Sequence, residues 1–246
     1  MLRRRVDHSL LPRTGTVIVA VETVFLDAGG VLVFPNWTRI GETFGRHGIE
    51  IDPQRLAGVE PLAKRRLDET STIQASNDAA RGWLYFNLIL AEAGVDQNAV
   101  TDAALEELHE YHRHANLWEI VPDGVVPALK ALRARGLRLT VVSNANGRLK
   151  HLFERVSLAA HFDCLLDSCD EGVEKPDPRL FDIALERSGA RRETTIHVGD
   201  LYHVDVVGAR AAGLRGVLLD QAGLYPEADC LRVRTLGELV EKIPEW

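Results

Sequence analysis

Residues 21–32, VETVFLDAGGVL, decide the fold class of this 246-residue chain. Apart from Glu22, residues 21–26 are apolar or β-branched, and such a run followed by an acid and two glycines is typical of a strand buried on both faces. Open parallel sheets bind their ligands at the carboxyl ends of the strands. Asp27 is therefore predicted to lie at the edge of a ligand-binding crevice.

Four more runs of this kind follow along the chain, and amphipathic segments separate them. These predicted strands are residues 137–142, 164–166, 195–198 and 216–219. Helices are predicted over residues 124–135, closed by Gly136, and from Asp177 onward with Pro178 in the first turn. The alternation of strands and helices predicts an α/β fold with a parallel sheet.

Residues 36–118 differ from the rest because they contain no convincing strand. Helical windows are found there at residues 38–47, 55–68, 78–93 and 101–114. We therefore expect an all-helical domain, residues 35–118, inserted into an α/β core formed by residues 16–34 and 119–246. Residues 1–15 are expected to be a loose N-terminal extension.

Composition and charge narrow the class of protein. The chain is 46% hydrophobic and 26% charged, as in ordinary globular proteins, and its net charge of −7 opposes general binding to nucleic acid or to anionic membranes. No apolar stretch approaches the roughly 20 residues that span a bilayer. The three cysteines, Cys164, Cys169 and Cys230, form no CxxC pair, so we expect neither disulfides nor zinc and favour a cytoplasmic location.

Polar residues follow the predicted strands in a regular way. Asp27 ends the first strand, and a carboxylate there can attack phosphorus or carbon to form a covalent intermediate. Ser143 and Asn144 end the second strand, where their polar groups could hold a phosphoryl oxygen. Each of these residues alone would be read as a helix cap or a turn.

Three charged residues complete the pattern. Lys175 precedes a proline and a helix start, and it could neutralise both the nucleophile and an anionic substrate. Asp200 ends the fourth strand and Asp205 follows five residues later, so two acids would face Asp27. Carboxylates in such a group repel one another unless a cation lies between them, and their hard oxygen atoms suit Mg²⁺.

In this order, the four groups resemble the motifs of the haloacid dehalogenase superfamily, over about residues 21–246. The resemblance implies a Rossmann-like core with a helical cap inserted after the first motif, which agrees with the helical segment found independently. It implies that Asp27 is the nucleophile, Ser143 the phosphate-holding hydroxyl and Lys175 the neutralising cation. The implied Mg²⁺ ligands are Asp27, the backbone carbonyl of Gly29, Asp200 and Asp205, and the implied substrate-binding residues are Asn144 and Gly30.

Gly29 departs from the pattern, because phosphatases of this superfamily carry at that position a second Asp that acts as general acid and base. Loss of such a group costs about 10² to 10⁴ in rate. Three functions stay open: a Mg²⁺-dependent phosphohydrolase for a small phosphorylated metabolite with altered acid/base machinery, a 2-haloacid dehalogenase, whose halide leaves without protonation, and a binding or regulatory protein without turnover.

Substrate choice is expected to depend on the inserted helices. The candidates there are the basic triplet Lys64-Arg65-Arg66 and the segment of residues 83–87, WLYFN. Both also have ordinary explanations, as a solvated helix face and as packing residues. The sequence leaves the oligomeric state and the identity of the substrate open.

Overall fold

The computed structural model describes residues 20–69 and 78–243. Its strands are β1 (Thr23–Leu26), β2 (Phe34–Pro35), β3 (Trp118–Ile120), β4 (Arg138–Ser143), β5 (Cys164–Asp167), β6 (Thr195–Gly199), β7 (Arg215–Leu219) and β8 (Leu231–Val233). Six of them form one parallel sheet in the order β5-β4-β1-β6-β7-β8. The predicted α/β class with a parallel sheet is confirmed.

The helices fall into two groups. Those of the core are α5 (Val125–Ala134), α6 (Leu149–Arg155), α7 (Ser168–Glu171), α8 (Pro178–Ser188), α9 (Gly208–Ala211) and α10 (Leu236–Lys242), with a π-helix at Tyr202–Val207 and 3₁₀ turns at Ala159–His161 and Arg192–Thr194. Those between β2 and β3 are α1 (Trp37–Arg46), α2 (Pro53–Leu67), α3 (Asp78–Glu92) and α4 (Ala99–Ala115). We call α1–α4 the helical insert.

The sheet lies between two helical layers because its side chains alternate in direction. Val24 and Leu26 of β1 pack into an apolar cluster with α5, α6 and α10, whereas Phe25 packs on the opposite face with α8 and α9. All four residues of β1 are fully buried. This burial on both faces explains why the strand is almost continuously apolar.

The helical insert has an apolar core of its own. Buried residues of all four helices form this cluster, among them Phe44, Leu56, Ile89 and Leu105. Side-chain caps start the helices: Asn36 accepts from the Arg39 N–H, and Asp52 precedes a first-turn proline in α2. The strands β2 and β3 form a short antiparallel pair where the chain enters and leaves the insert.

The sequence missed three short strands. β2 and β3 have two and three residues, too few for a periodic pattern, and β3 begins at Trp118, inside the segment expected to hold no strand. β8 likewise has three residues. The first strand begins at Thr23 rather than at residue 21, and α2 begins at Pro53 rather than at residue 55.

Two expectations concern the chain ends and the membrane. The predicted extension over residues 1–15 lies outside the described residues. None of the helices described between residues 20 and 243 is both long and apolar enough to cross a membrane. The domain boundaries at residues 34/35 and 118/119 stay a prediction.

Candidate active site

Asp27 directly follows the central strand and lies at the carboxyl edge of the sheet. Its backbone N–H donates to the Val198 carbonyl oxygen of the neighbouring strand at 2.9 Å, which fixes the chain where β1 ends. The Oδ1 atom accepts from the Ala28 N–H at 2.7 Å and lies 3.1 Å from the Lys175 Nζ atom. The side chain is 14% exposed, so the carboxylate is largely buried but can still reach a ligand in the crevice.

The pKa of Asp27 reflects crowding by other charges. Burial raises it to about 7, Lys175 opposes the rise, and the carboxylates of Asp205 and Asp200 add to it. The nearby Ser143 hydroxyl also favours the ionised form and so lowers the pKa of Asp27. Without a further cation this carboxylate is therefore far less acidic than an ordinary Asp.

Lys175 is fully buried and joins two of the acids. Its Nζ atom lies 2.7 Å from Asp205 Oδ1 and 3.1 Å from Asp27 Oδ1. Burial alone lowers the pKa of a lysine, but these two carboxylates raise the pKa of Lys175 above its usual value. The side chain is thus a permanent positive charge beneath Asp27.

Asn144 holds Lys175 in place through its backbone. The Asn144 Oδ1 atom accepts from the Lys175 N–H at 2.7 Å, and the Nδ2 atom donates to the Lys175 carbonyl oxygen at 3.0 Å. Both polar atoms of the amide side chain are therefore already bonded. The backbone N–H and the second hydrogen of the Nδ2 atom remain for the substrate contact expected from the sequence.

Asp205 is buried and accepts hydrogen bonds on both oxygens. Oδ1 accepts from Lys175 and lies 2.9 Å from His197 Nε2, while Oδ2 accepts from the Leu201 N–H at 3.0 Å. Burial acts to raise the pKa of Asp205, but Lys175 and His197 hold it well below the usual range. Asp205 is thus ionised and firmly held.

Asp200 meets a lysine from the helical insert. Lys64 of α2 places its Nζ atom 2.7 Å from Asp200 Oδ2 and 3.0 Å from Glu60 Oε1. Burial raises the pKa of Asp200 and Lys64 opposes that rise. The insert therefore contributes a cation directly to the acidic cluster at the end of β6.

The three acids form one cluster suited to a cation. Asp27, Asp200 and Asp205 each offer an oxygen atom, and these atoms lie within 4.8 Å of one another. Such hard oxygen donors are those that Mg²⁺ prefers. The geometry thus brings together the three side chains predicted to be metal ligands, and ligation by the Gly29 carbonyl stays a prediction.

Gly30 lies where the backbone and its neighbours leave no space for a side chain. Its backbone has a φ of 72°, and a Cβ atom there would lie 1.9 Å from Asp200 Oδ2 and 2.7 Å from Lys64 Nζ. Its N–H donates to the Val33 carbonyl oxygen at 2.9 Å. Gly30 borders the cavity, as expected for a substrate-binding residue, and its N–H is already bonded within the loop.

A cavity of about 720 Å³ opens between this cluster and the helical insert. Its lining includes Asp27, Gly29 and Ser143 from the core. Tyr85, Phe86 and Trp118 form an aromatic part of the lining, which we call the aromatic wall. Of the insert residues singled out from the sequence, Lys64, Trp83, Tyr85 and Phe86 line it. Arg65 and Arg66 do not line the cavity. Arg66 is exposed, which agrees with the ordinary explanation of a basic residue on a solvated helix face.

Asp68, at the end of α2, binds the insert to the loop that follows Asp200. Its Oδ2 atom accepts from the Tyr202 N–H at 2.6 Å and from the Tyr225 hydroxyl at 3.0 Å, and Oδ1 accepts from the His203 N–H at 2.8 Å. Burial raises the pKa of Asp68 to about 6, and these hydrogen bonds oppose the rise. The carboxylate thus accepts from two partly buried backbone N–H groups of this loop.

Asp68→Asn is expected to lower the free energy of unfolding by about 1–3 kcal/mol, because the amide offers one acceptor oxygen to three donors. Urea denaturation followed by circular dichroism measures this change. Asp102→Asn, an exposed Asp of the same insert, is the matched control and should change the value by less than about 0.5 kcal/mol. Equal unfolding free energies for the two variants would show that Asp68 does not hold the loop.

Sequence reasoning missed several residues of this site. His197 lies inside a buried strand two residues before Gly199, and a polar residue in an otherwise apolar strand was the available signal. Asp68 and Trp118 gave no local signal, since their contacts depend on how the insert packs. Lys64 was considered from the sequence, but its pairing with Asp200 was not foreseen.

Known proteins match this chain over most of its length. Residues 21–213 match the family model described as haloacid dehalogenase-like hydrolase. The human haloacid dehalogenase-like hydrolase domain-containing protein 3 is 31% identical over 216 residues, which cover 78% of this chain and 86% of that protein. For several other curated relatives, the matched region spans about half of their length.

Two further matches are a phosphatase that is similar in sequence and a protein of known structure that is similar in fold. A phosphoserine phosphatase of Thermus thermophilus is 35% identical over 156 residues, covering 61% of this chain and 62% of that protein. The Bacillus subtilis protein YfnB, whose crystal structure is bound to magnesium, superposes with a TM-score of 0.67 and 18% identity over 92% of this chain and 99% of its own. The second match, at this low identity, shows that the fold is shared.

Proposed function

Because the chain belongs to the haloacid dehalogenase-like hydrolase family, we propose that it is a Mg²⁺-dependent phosphohydrolase that acts on a small phosphorylated metabolite through an aspartyl-phosphate intermediate on Asp27. One observation carries the proposal. Asp27 lies 3.1 Å from the buried Lys175 ammonium, within the acidic cluster, and lines the cavity. In this proposal residues 35–118 are the cap domain that covers the substrate.

The residues present fit a bound Mg²⁺ ion. The cluster holds three carboxylates, and Glu60 adds a fourth beside Lys64. Only two lysines, Lys175 and Lys64, contact these acids among the described residues, so the negative charge exceeds the positive charge. Asp27 and Asp200 would hold the ion, supported by Asp205 and the Gly29 carbonyl. The ion would supply the positive charge that draws the phosphoryl group toward Asp27.

The chain's own residues account for most of the first step. Lys175 orients the Asp27 carboxylate and offsets its charge as the oxygen attacks phosphorus. The Ser143 hydroxyl, at the neighbouring strand end, and the Asn144 N–H would bind the phosphoryl oxygens. Asp205 keeps Lys175 charged and fixed, because the ammonium lies 2.7 Å from its Oδ1 atom.

The second step regenerates the carboxylate. Water attacks the phosphorus atom of the aspartyl phosphate, inorganic phosphate leaves, and Asp27 is again free. Gly29 provides no side chain to take the proton from this water or to give one to the leaving group in the first step. We therefore propose a slow enzyme, or one whose substrate has an easy leaving group.

Gly29 also favours a second candidate, a 2-haloacid dehalogenase. A halide ion leaves without being protonated, so this reaction needs no acid beside Asp27. The cluster of Asp200 and Asp205 argues against it, because attack on carbon with loss of halide needs no metal site. Membership in a hydrolase family argues against the third possibility, a binding protein without turnover.

Chelation of Mg²⁺ is expected to stop hydrolysis of phosphate esters, because the acids around Asp27 need a cation to accept an anionic substrate. A screen of phosphorylated metabolites and 2-haloacids, with Mg²⁺ or with excess EDTA, measures this. Activity should return when Mg²⁺ is added back in excess. Full activity in EDTA contradicts the metal assignment, and release of halide in EDTA supports the dehalogenase.

A further inference from the structure

We propose that the substrate is an aryl phosphate, a phosphate monoester whose leaving group is a phenol or another aromatic hydroxyl compound. The inference rests on the proposed phosphohydrolase function and adds the chemical class of the leaving group. Two independent features of the molecule support it: the missing proton donor at Gly29 and the aromatic wall beside it.

The first feature concerns the bond that breaks. When Asp27 attacks, the P–O bond to the leaving group breaks and its electron pair stays on the leaving oxygen. A phenol has a pKa near that of tyrosine, about 10, whereas an alcohol is close to water, about 16. A phenolate can therefore leave without receiving a proton, and an alkoxide leaves far more slowly.

Three donors beside the acidic cluster are already held by carboxylates, so they are poorly placed to replace an acid at Gly29. The Tyr85 hydroxyl donates to Glu60 Oε1 at 2.7 Å. The Lys64 ammonium is held by Asp200 and Glu60, whose carboxylate oxygens lie 2.7 and 3.0 Å from its Nζ atom. Lys175 is held in the same way by Asp27 and Asp205.

The second feature is the surface next to Gly29. A Cβ atom at Gly29 would lie 3.6 Å from both Cδ1 and Nε1 of Trp118, so this indole borders the space that an acidic side chain would fill. Tyr85, Phe86 and His112 surround the same indole, with ring centroids 5.6, 5.8 and 5.4 Å from it. Such distances are typical of interacting aromatic rings, and the aromatic ring of a substrate could pack against this group in the same way.

The rest of the cavity suits an uncharged aromatic group. Its volume of about 720 Å³ lies in the range of pockets that hold a ligand much larger than phosphate. Two insert cations that line it, Lys64 and Arg81, already have carboxylate partners in Asp200, Glu60 and Glu174. His109 and His112 of the insert line it as well, and burial lowers the pKa of His109, which favours its neutral form. This lining favours an arene as the leaving group over a second anionic group.

The proposed reaction is balanced without any further reagent. The Asp27 carboxylate forms an O–P bond as the aryl P–O bond breaks, and the phenolate takes its proton from solvent. Water then hydrolyses the aspartyl phosphate to inorganic phosphate and restores the carboxylate. The products are a phenol and phosphate.

The first experiment compares leaving groups. The value of kcat/KM is measured with Mg²⁺ for phenyl phosphate, substituted phenyl phosphates and alkyl phosphates such as glycerol phosphate. We expect aryl esters to exceed alkyl esters by about 10²-fold or more, the contribution usually made by a general acid. Equal values for the two classes would overturn the inference and leave the phosphohydrolase intact, whereas no hydrolysis of either class would overturn the proposed function itself.

The second experiment tests the aromatic wall without turnover. Binding of phenylphosphonate and methylphosphonate to the Asp27→Asn protein is measured by calorimetry, with and without Trp118→Leu. Loss of the indole should weaken phenylphosphonate binding by about tenfold, the value of an aromatic pair, and leave methylphosphonate unchanged. Trp37→Leu is the matched control, because Trp37 packs in the insert and does not line the cavity.

Trp118 also packs against the apolar clusters of both the core and the insert, so Trp118→Leu could fail to fold. Trp118→Phe keeps a smaller ring and should give an intermediate loss for phenylphosphonate. Equal weakening of both phosphonates by either folded variant, or no weakening at all, would show that the indole does not bind the leaving group.

Discussion

Asp27→Asn should abolish hydrolysis, with a loss on the order of 10⁴-fold or more in kcat, as found when a nucleophile is removed from a group of residues that act together. An amide oxygen is too weak a nucleophile to attack phosphorus. The fold should survive, because the Asn side chain keeps an acceptor for the Ala28 N–H, the bond now made by Asp27 Oδ1 at 2.7 Å. Initial rates with Mg²⁺ and a circular dichroism spectrum measure both effects.

Asp123→Asn is the matched control, since Asp123 is an exposed acid of the core and should keep full turnover. A second measurement identifies the intermediate. After a rapid acid quench, mass spectrometry should find one phosphoryl group on the peptide that contains Asp27, and none in the Asp27→Asn protein. A well-folded Asp27→Asn protein that keeps most of its turnover would show that Asp27 is not the nucleophile.

The position of Asp27 could be predicted because the order of the strands in the sheet determines which strand ends are neighbours. β4 and β6 are the two neighbours of β1, so residues that end these three strands must meet at one edge. Ser143 ends β4 and Asp200 directly follows β6. A pattern of strand ends in sequence is therefore enough to bring these side chains together, whatever the details of packing.

The contacts of the insert could not be predicted in this way. Lys64 and Asp200 are far apart in sequence, and their 2.7 Å contact depends on how α2 lies over the core. A basic triplet on a helix looks the same whether or not one of its members turns inward. Trp118 is a similar case, because it reaches Gly29 through β3, a strand of three residues that carries no pattern.

Gly29→Asp should raise kcat/KM for alkyl phosphates by part of the 10²- to 10⁴-fold that a general acid contributes, about tenfold or more. The gain should be small for aryl phosphates, whose leaving groups need no proton. The comparison uses kcat/KM because this value covers the steps up to transfer of the phosphoryl group to Asp27. Hydrolysis of the aspartyl phosphate is common to all substrates and affects kcat instead.

The structure removes the main objection to this variant. A glycine can hold a left-handed backbone that Asp adopts only at a cost, but here Gly30 has the positive φ of 72° and Gly29 does not. A Cβ atom at Gly29 would make ordinary van der Waals contact with the Trp118 indole at 3.6 Å. The Cβ atom of the new residue therefore fits beside the indole without a clash.

Gly29→Asn separates proton transfer from shape, because Asn has nearly the size of Asp and cannot donate or accept the proton. We expect Gly29→Asn to leave kcat/KM for alkyl phosphates at the wild-type value or below it. Both variants are first checked for folding and for Mg²⁺ binding by calorimetry. If Gly29→Asp folds, binds Mg²⁺ and hydrolyses no phosphate ester faster than the wild type, the missing acid does not limit this site. The dehalogenase would then be the better explanation for a glycine at this position, since loss of a halide gains nothing from a proton donor.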